Sequence, residues 1–191
     1  MSYVNPVDDY LIQLEGVIHA ISREQIWAVV NVLMDAWRGG KHIFLFGNGG
    51  SAATASHMAN DLNKFATVEG KPRFKAIALS DNVPLMTAWG NDTAYENIFV
   101  EQLLNFIEAG DVVIGISASG NSANVLKALS VGAQYGAITV GFTGDRGGKI
   151  KKIVDHCIFI PSGLIGQQED GHMILDHVIV LTLKDLIEAE K

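Results

Sequence analysis

The stretch FGNGGSAATASH, Phe46 to His57, decides how the rest of the chain is read. It completes HIFLF (42–46), an apolar run of strand length. It then passes through three glycines and a serine into a helix-forming segment that carries a histidine. Strand, glycine turn and helix in that order open a βαβ unit. Outward from it, further apolar runs of strand length recur at FKAIAL (74–79), VVIGI (112–116), AITVGF (137–142) and HCIFI (156–160). Most are nearly continuous in apolar character, as in strands buried on both faces. The first four are each followed by room for a helix, which predicts right-handed crossovers and a parallel sheet.

Before the sheet, Ser22 and Gln25 form a capping-box pattern ahead of IWAVVNVLMDAW, and Gly39-Gly40 ends that helix. After it, residues 166–189 read as one long helix, with Ile174, Val178 and Leu181 on a single face. The 191 residues hold no repeat and no low-complexity linker. The expectation is one α/β domain over 1–191, with N-terminal helices in 1–40 and the core, closed by the long helix, in 41–191. Helices preceding the sheet have little room to pack on it, so a homo-oligomer joined through them is expected.

A composition with 48% hydrophobic and 18% charged residues is that of a globular chain. The net charge of −7 opposes a broad nucleic-acid-binding surface. One cysteine, Cys157, rules out a disulfide framework and suits a reducing compartment. MSYVNPVDDYL has neither a basic nor an apolar leader region, and no apolar run nears the ~20 residues of a membrane span. A cytoplasmic protein without membrane contact is the expectation.

In an open parallel sheet, ligands bind beyond the carboxyl ends of the strands. The first loop satisfies G-x-G-x-x-A through Gly47, Gly49 and Ala52. The acid that a dinucleotide site needs about 20 residues on is offered only by Asp81, which stands too far along, and no Gly-Lys-Ser/Thr follows the glycines. No nucleotide cofactor is expected. SASGNS, Ser117 to Ser122, is the sharper clue. One serine suffices to cap a helix. Three beside free backbone N–H groups suit a phosphate with its acceptor oxygens.

His57 and Asp61, four apart, share a helix face and can act as base and ligand or as a plain pair. In the last helix Glu169 and His177 lie eight apart, about 80° around the axis, while His172 is turned about 140° from His177. Asn91-Asp92 can cap a helix or reach sugar hydroxyls.

Together, FGNGGSAATASHMANDL, Asn91-Asp92, ISASGNSANVL, GFTGDRGG and QEDGHMILDH resemble the sugar isomerase (SIS) domain, and within it the phosphoheptose isomerase group. The resemblance implies a five-stranded, flavodoxin-like parallel sheet between helices, a homotetramer, and conversion of sedoheptulose 7-phosphate to a manno-heptose 7-phosphate. By the same resemblance the phosphate lies on Ser117, Ala118, Ser119 and Ser122. The sugar lies on Asn48, Gly49, Gly50, Ser51, Asn91, Asp92, Gln168 and Glu169. Asp61 and His177 are the acid/base pair, and His57, Asp61, Glu169 and His177 bind zinc. Asp61 replaces the family's glutamate and Glu169 its glutamine. The alternatives are a non-catalytic SIS regulator that binds a sugar phosphate or a replication initiator, and an isomerase of another sugar phosphate.

Overall fold

The computed structural model describes residues 5–190, so Met1–Val4 of the leader reading fall outside it. Helix α1 (Pro6–Ala20) is capped by Asn5, whose side chain accepts from the Val7 N–H, and α2 (Arg23–Arg38) is capped by Ser22. Gln25 does not reach back to complete the capping box. Its Oε1 accepts the Phe159 N–H at 3.3 Å, which satisfies a donor on the last strand.

Strands β1 (His42–Gly47), β2 (Lys75–Ala78), β3 (Val112–Ser117), β4 (Ile138–Gly144) and β5 (His156–Ile160) form one parallel sheet in the order β2-β1-β3-β4-β5. The expected strands are all present, with ends shifted by one or two residues. This is the flavodoxin-like order, and it reverses between β1 and β3. The glycine turn and the serine loop are therefore neighbours at the switch point, although about 70 residues separate them in sequence.

Alternation along each strand feeds two cores. Ile43 and Leu45 of β1, Val112, Ile114 and Ile116 of β3, and Ile158 and Ile160 of β5 face one side. They meet α2, α3 (Gly50–Asn60) and α7 (Ile165–Ala189) there. Phe44, Phe46 and Val113 face the other side, against α5 (Val100–Leu103) and α6 (Ala123–Gln134). Between β2 and α5 lie α4 (Val83–Asp92) and a short 3₁₀ turn, Tyr95–Asn97.

One expectation is corrected here. Helix α2 buries Val29, Val30, Leu33, Met34 and Trp37 in the first core, so it belongs to the sandwich. Each such side chain contributes about 1.5–3 kcal/mol. Of the two N-terminal helices, α1 stays largely outside, with Val7, Leu11 and Ile12 exposed. No helix among the described residues is long and apolar enough to cross a membrane.

Candidate active site

Two clusters sit along the pair formed by α3 and α7. The first lies at the switch point, in a hollow of about 210 Å³ walled by Asn48, Ser51, Ser117, Ala118, Ser119, Ser122 and Glu169. The Ser117 hydroxyl lies 3.1 Å from that of Ser122 and 3.4 Å from that of Ser119. Ser122 stands at the N-cap of α6, yet its side chain makes no capping bond. The hydroxyls are thus grouped with one another beside the helix terminus, where an anion is favoured.

Close approach explains the glycines. A Cβ on Gly50 would lie 2.5 Å from Oε1 of Glu169, so a side chain there would displace the carboxylate. Asn48 is held by two residues that the sequence reading missed. Its Oδ1 accepts from Nδ2 of Asn124 at 2.8 Å and from the Tyr95 hydroxyl at 3.0 Å. Asn124 was legible as a buried amide inside SGNSANVL; for Tyr95, 47 residues from its partner, the sequence carries no local signal.

The second cluster lies further down the two helices. Nε2 of His57 stands 3.2 Å from Nε2 of His177, 3.4 Å from Asp61 Oδ2 and 3.9 Å from Asp176 Oδ2. One ligand atom from each of these four residues lies within 4.8 Å of all the others. Asp61 opens a π-helical turn, Asp61–Phe65, that continues α3; such turns are frequent at functional sites. Asp176 is fully buried, and neither of its oxygens has a hydrogen-bond partner. Burial, and then the charge of Asp61, push its carboxyl up to about 7. Two imidazoles and two carboxylates around one point suit a divalent cation, which would also satisfy the orphaned Asp176 oxygens.

Glu169 lies apart from this group. It lines the switch-point hollow, and the fourth member of the group around His57, Asp61 and His177 is Asp176. The angular argument overlooked axial distance: eight residues advance a helix by about 12 Å. Asp176 was missed because it precedes His177 inside an apolar run. A lone carboxylate among Ile174, Leu175, Val178 and Ile179 was the available signal.

Asn91 and Asp92 are exposed at the end of α4, where Asn91 Nδ2 donates to Asp92 at 2.8 Å. Neither lines the hollow, so the structure does not bring them to the other predicted sugar ligands. Gln168 packs against Gly144 and donates to the Ser162 carbonyl at 2.5 Å. It lines an adjoining hollow with Ser119. His172 faces away from the quartet, stacked on Phe142 with centroids 6.3 Å apart.

A model of the SIS domain matches residues 9–144. The chain is 39% identical to a phosphoheptose isomerase of Geotalea daltonii over 93% of both chains. It is 42% identical to that of Trichlorobacter lovleyi over 82% of this chain and 77% of the relative. The structure of a phosphoheptose isomerase from Neisseria gonorrhoeae superposes with a TM-score of 0.84 at 28% identity, covering 91% of this chain and 92% of the other. The chain belongs to the SIS-domain family and, within it, to the phosphoheptose isomerase group of ketose–aldose isomerases.

Proposed function

We propose that the protein interconverts sedoheptulose 7-phosphate and D-glycero-D-manno-heptose 7-phosphate. The observation that carries this reading is the pairing of a serine cluster on the β3–α6 loop with a His/Asp quartet on α3 and α7. Uncapped serine hydroxyls lie at the switch point, and a His/Asp quartet lies seven to eight residues along both helices. Glu169, in the wall of the serine hollow, stands about 12 Å along α7 from His177, which suits a sugar extending from a phosphate on the serines toward the quartet. Curated relatives at this level of identity are phosphoheptose isomerases, which supports the same pair.

In this reading Ser117, Ser119 and Ser122, with the Ala118 backbone, bind the phosphate. Asn48, Gly49, Gly50, Ser51, Gln168 and Glu169 orient the sugar. Asp61 removes the proton from the carbon beside the carbonyl, and the electron pair moves toward the carbonyl oxygen to give an enediol. His177 carries protons between the two oxygens and returns one to the neighbouring carbon. His57, Asp61, Asp176 and His177 would hold zinc, which supplies charge stabilisation to oxygens of the substrate. We also place residues 1–191 in one SIS domain that works in the cytoplasm as a homotetramer, without nucleic acid or nucleotide. Exposed Val178 and Leu181 on α7, Phe65 beside the quartet, and Leu11 and Ile12 on α1 support the assembly.

Proton NMR of sedoheptulose 7-phosphate with the purified protein tests the assignment. New aldose signals that vanish with Asp61→Ala and His177→Ala are expected. Wild-type turnover by Asp61→Ala would remove Asp61 from its role, and binding without turnover would make the protein a sugar-phosphate regulator.

A further inference from the structure

We propose that Arg146 supplies the cation that binds the substrate phosphate, a role that rests on the phosphosugar reading of the serine loop. A phosphate monoester brings about two negative charges, yet the groups around the serine loop are neutral hydroxyls and a helix terminus. The charged residue in the wall of the same hollow is Glu169, which repels an anion, and the chain as a whole carries −7. Something positive must offset this.

An adjoining hollow of about 250 Å³ shares Ala118, Ser119 and Ile165 with the first, and its wall contains Arg146. Among the described residues no other lysine or arginine lines either hollow. The loop bearing Arg146 is fastened to the serine loop on both sides. Before it, the Gly144 N–H donates to the Ala118 carbonyl at 2.9 Å. After it, the Lys149 and Ile150 N–H groups donate to the Gly120 carbonyl at 2.9 and 3.1 Å. The Lys149 N–H lies 3.2 Å from Oδ1 of Asn121 as well. Glycines 120, 147 and 148 touch through their backbones, with no room for a side chain between the loops. Arg146 is thus anchored at its root and open at its tip.

Among the described residues its guanidinium pairs only with Asp145, at 3.9 Å and on the surface, too long for a hydrogen bond. The planar fork therefore keeps its donors for a ligand, and a phosphate accepts two of them side by side. Ser119, common to both hollows, would share that phosphate with it.

The probe is inorganic phosphate, followed by ³¹P NMR titration and by competition with sedoheptulose 7-phosphate turnover. Arg146→Ala should weaken phosphate binding at least tenfold and raise KM more than it lowers kcat, with an unchanged circular dichroism spectrum. Arg146→Lys should recover part of the loss, and Lys152→Ala, which alters an exposed cation of the same segment, should leave binding as it was. Unaltered phosphate binding in Arg146→Ala, while Ser119→Ala loses it, would end the proposal and leave the serine site standing. An equal loss in Lys152→Ala would reduce the effect to the general field and also overturn it. Failure of the wild-type protein to bind phosphate at all would take down the phosphosugar reading and this proposal together.

Discussion

Nε2 of His57, on α3, faces Nε2 of His177, on α7, across 3.2 Å, with the Asp61 and Asp176 carboxylates closing around the pair. Two neutral imidazoles meeting nitrogen to nitrogen can share one proton at best. A cation among the four groups takes one lone pair from each.

Metal loading provides the first prediction. His177→Ala and Asp176→Asn should each lower zinc affinity at least tenfold, by analogy with the 10–100-fold cost of disturbing even outer-shell partners. Glu169→Gln should keep full zinc content, since Glu169 lies near Gly50 and not in the quartet. Elemental analysis and competition with a chelating dye read both. Zinc lost from Glu169→Gln and kept in Asp176→Asn would reverse that grouping.

Serine by serine, the phosphate site should weaken without collapsing. A hydrogen bond to a charged group contributes about 1.5–3 kcal/mol, so Ser119→Ala should raise KM roughly tenfold or more. Turnover at saturation should persist, because the Ser117 and Ser122 hydroxyls remain 3.1 Å apart. Steady-state kinetics on the single and triple alanine variants decide it. Additive losses in KM support a shared phosphate, and no change in the triple variant would refute it.

Gly120 holds φ at +63°, where a side chain is strained, and a Cβ there would strike the Gly147 backbone. Gly120→Ala should cost about 1–3 kcal/mol and lower Tm by several degrees for a chain of this size. Phosphate binding should fall with it, because the serine loop and the Arg146 loop part. A thermal melt matching wild type would mean that the two loops are not locked together.

Acid should destabilise the fold through His172. The ring is fully buried, and burial, partly offset by a backbone contact at Thr143, lowers its pKa from 6.5 to about 4. The folded pKa lies below the unfolded one, so the unfolded chain takes up the proton first as pH falls. The His172 contribution is therefore present above pH 6.5 and is lost as pH drops toward 4. That loss amounts to about 3 kcal/mol. Asp176, whose carboxyl is raised to about 7, works in the opposite direction over this window. Urea unfolding at several pH values should therefore show the wild type losing more stability on acidification than His172→Leu, whatever the net slope. Parallel slopes would assign the acid sensitivity elsewhere.

Much of the fold was legible because burial imposes period and length on a sequence. The five apolar runs became the five strands, and residues 166–189 became the long α7. Its buried face, however, carries Leu175, Ile179, Leu183 and Ile187, while Val178 and Leu181 of the expected face are exposed. Helix α2 was misplaced because an amphipathic pattern states that a face is buried without naming what covers it. In the site, SASGNS and the His57–Asp61 pair were readable, since short spacings fix geometry within one turn. Asn48–Tyr95 and Glu169–Gly50 were not, because each pairs distant segments through contacts that only packing creates.

What the sequence by itself determined was local: strand–turn–helix units, the grouping of serines at a helix start, and a histidine four residues before a carboxylate. Each follows from backbone periodicity and from hydrogen bonding within a few residues. Only the tertiary structure decided that the glycine turn and the serine loop meet at the β1/β3 switch, through the sheet order. It also decided that Asp176 and not Glu169 joins His57, Asp61 and His177. The physical reason is distance along the axis: periodicity sets which way a side chain points around a helix, and packing sets which height of one helix faces which height of its neighbour.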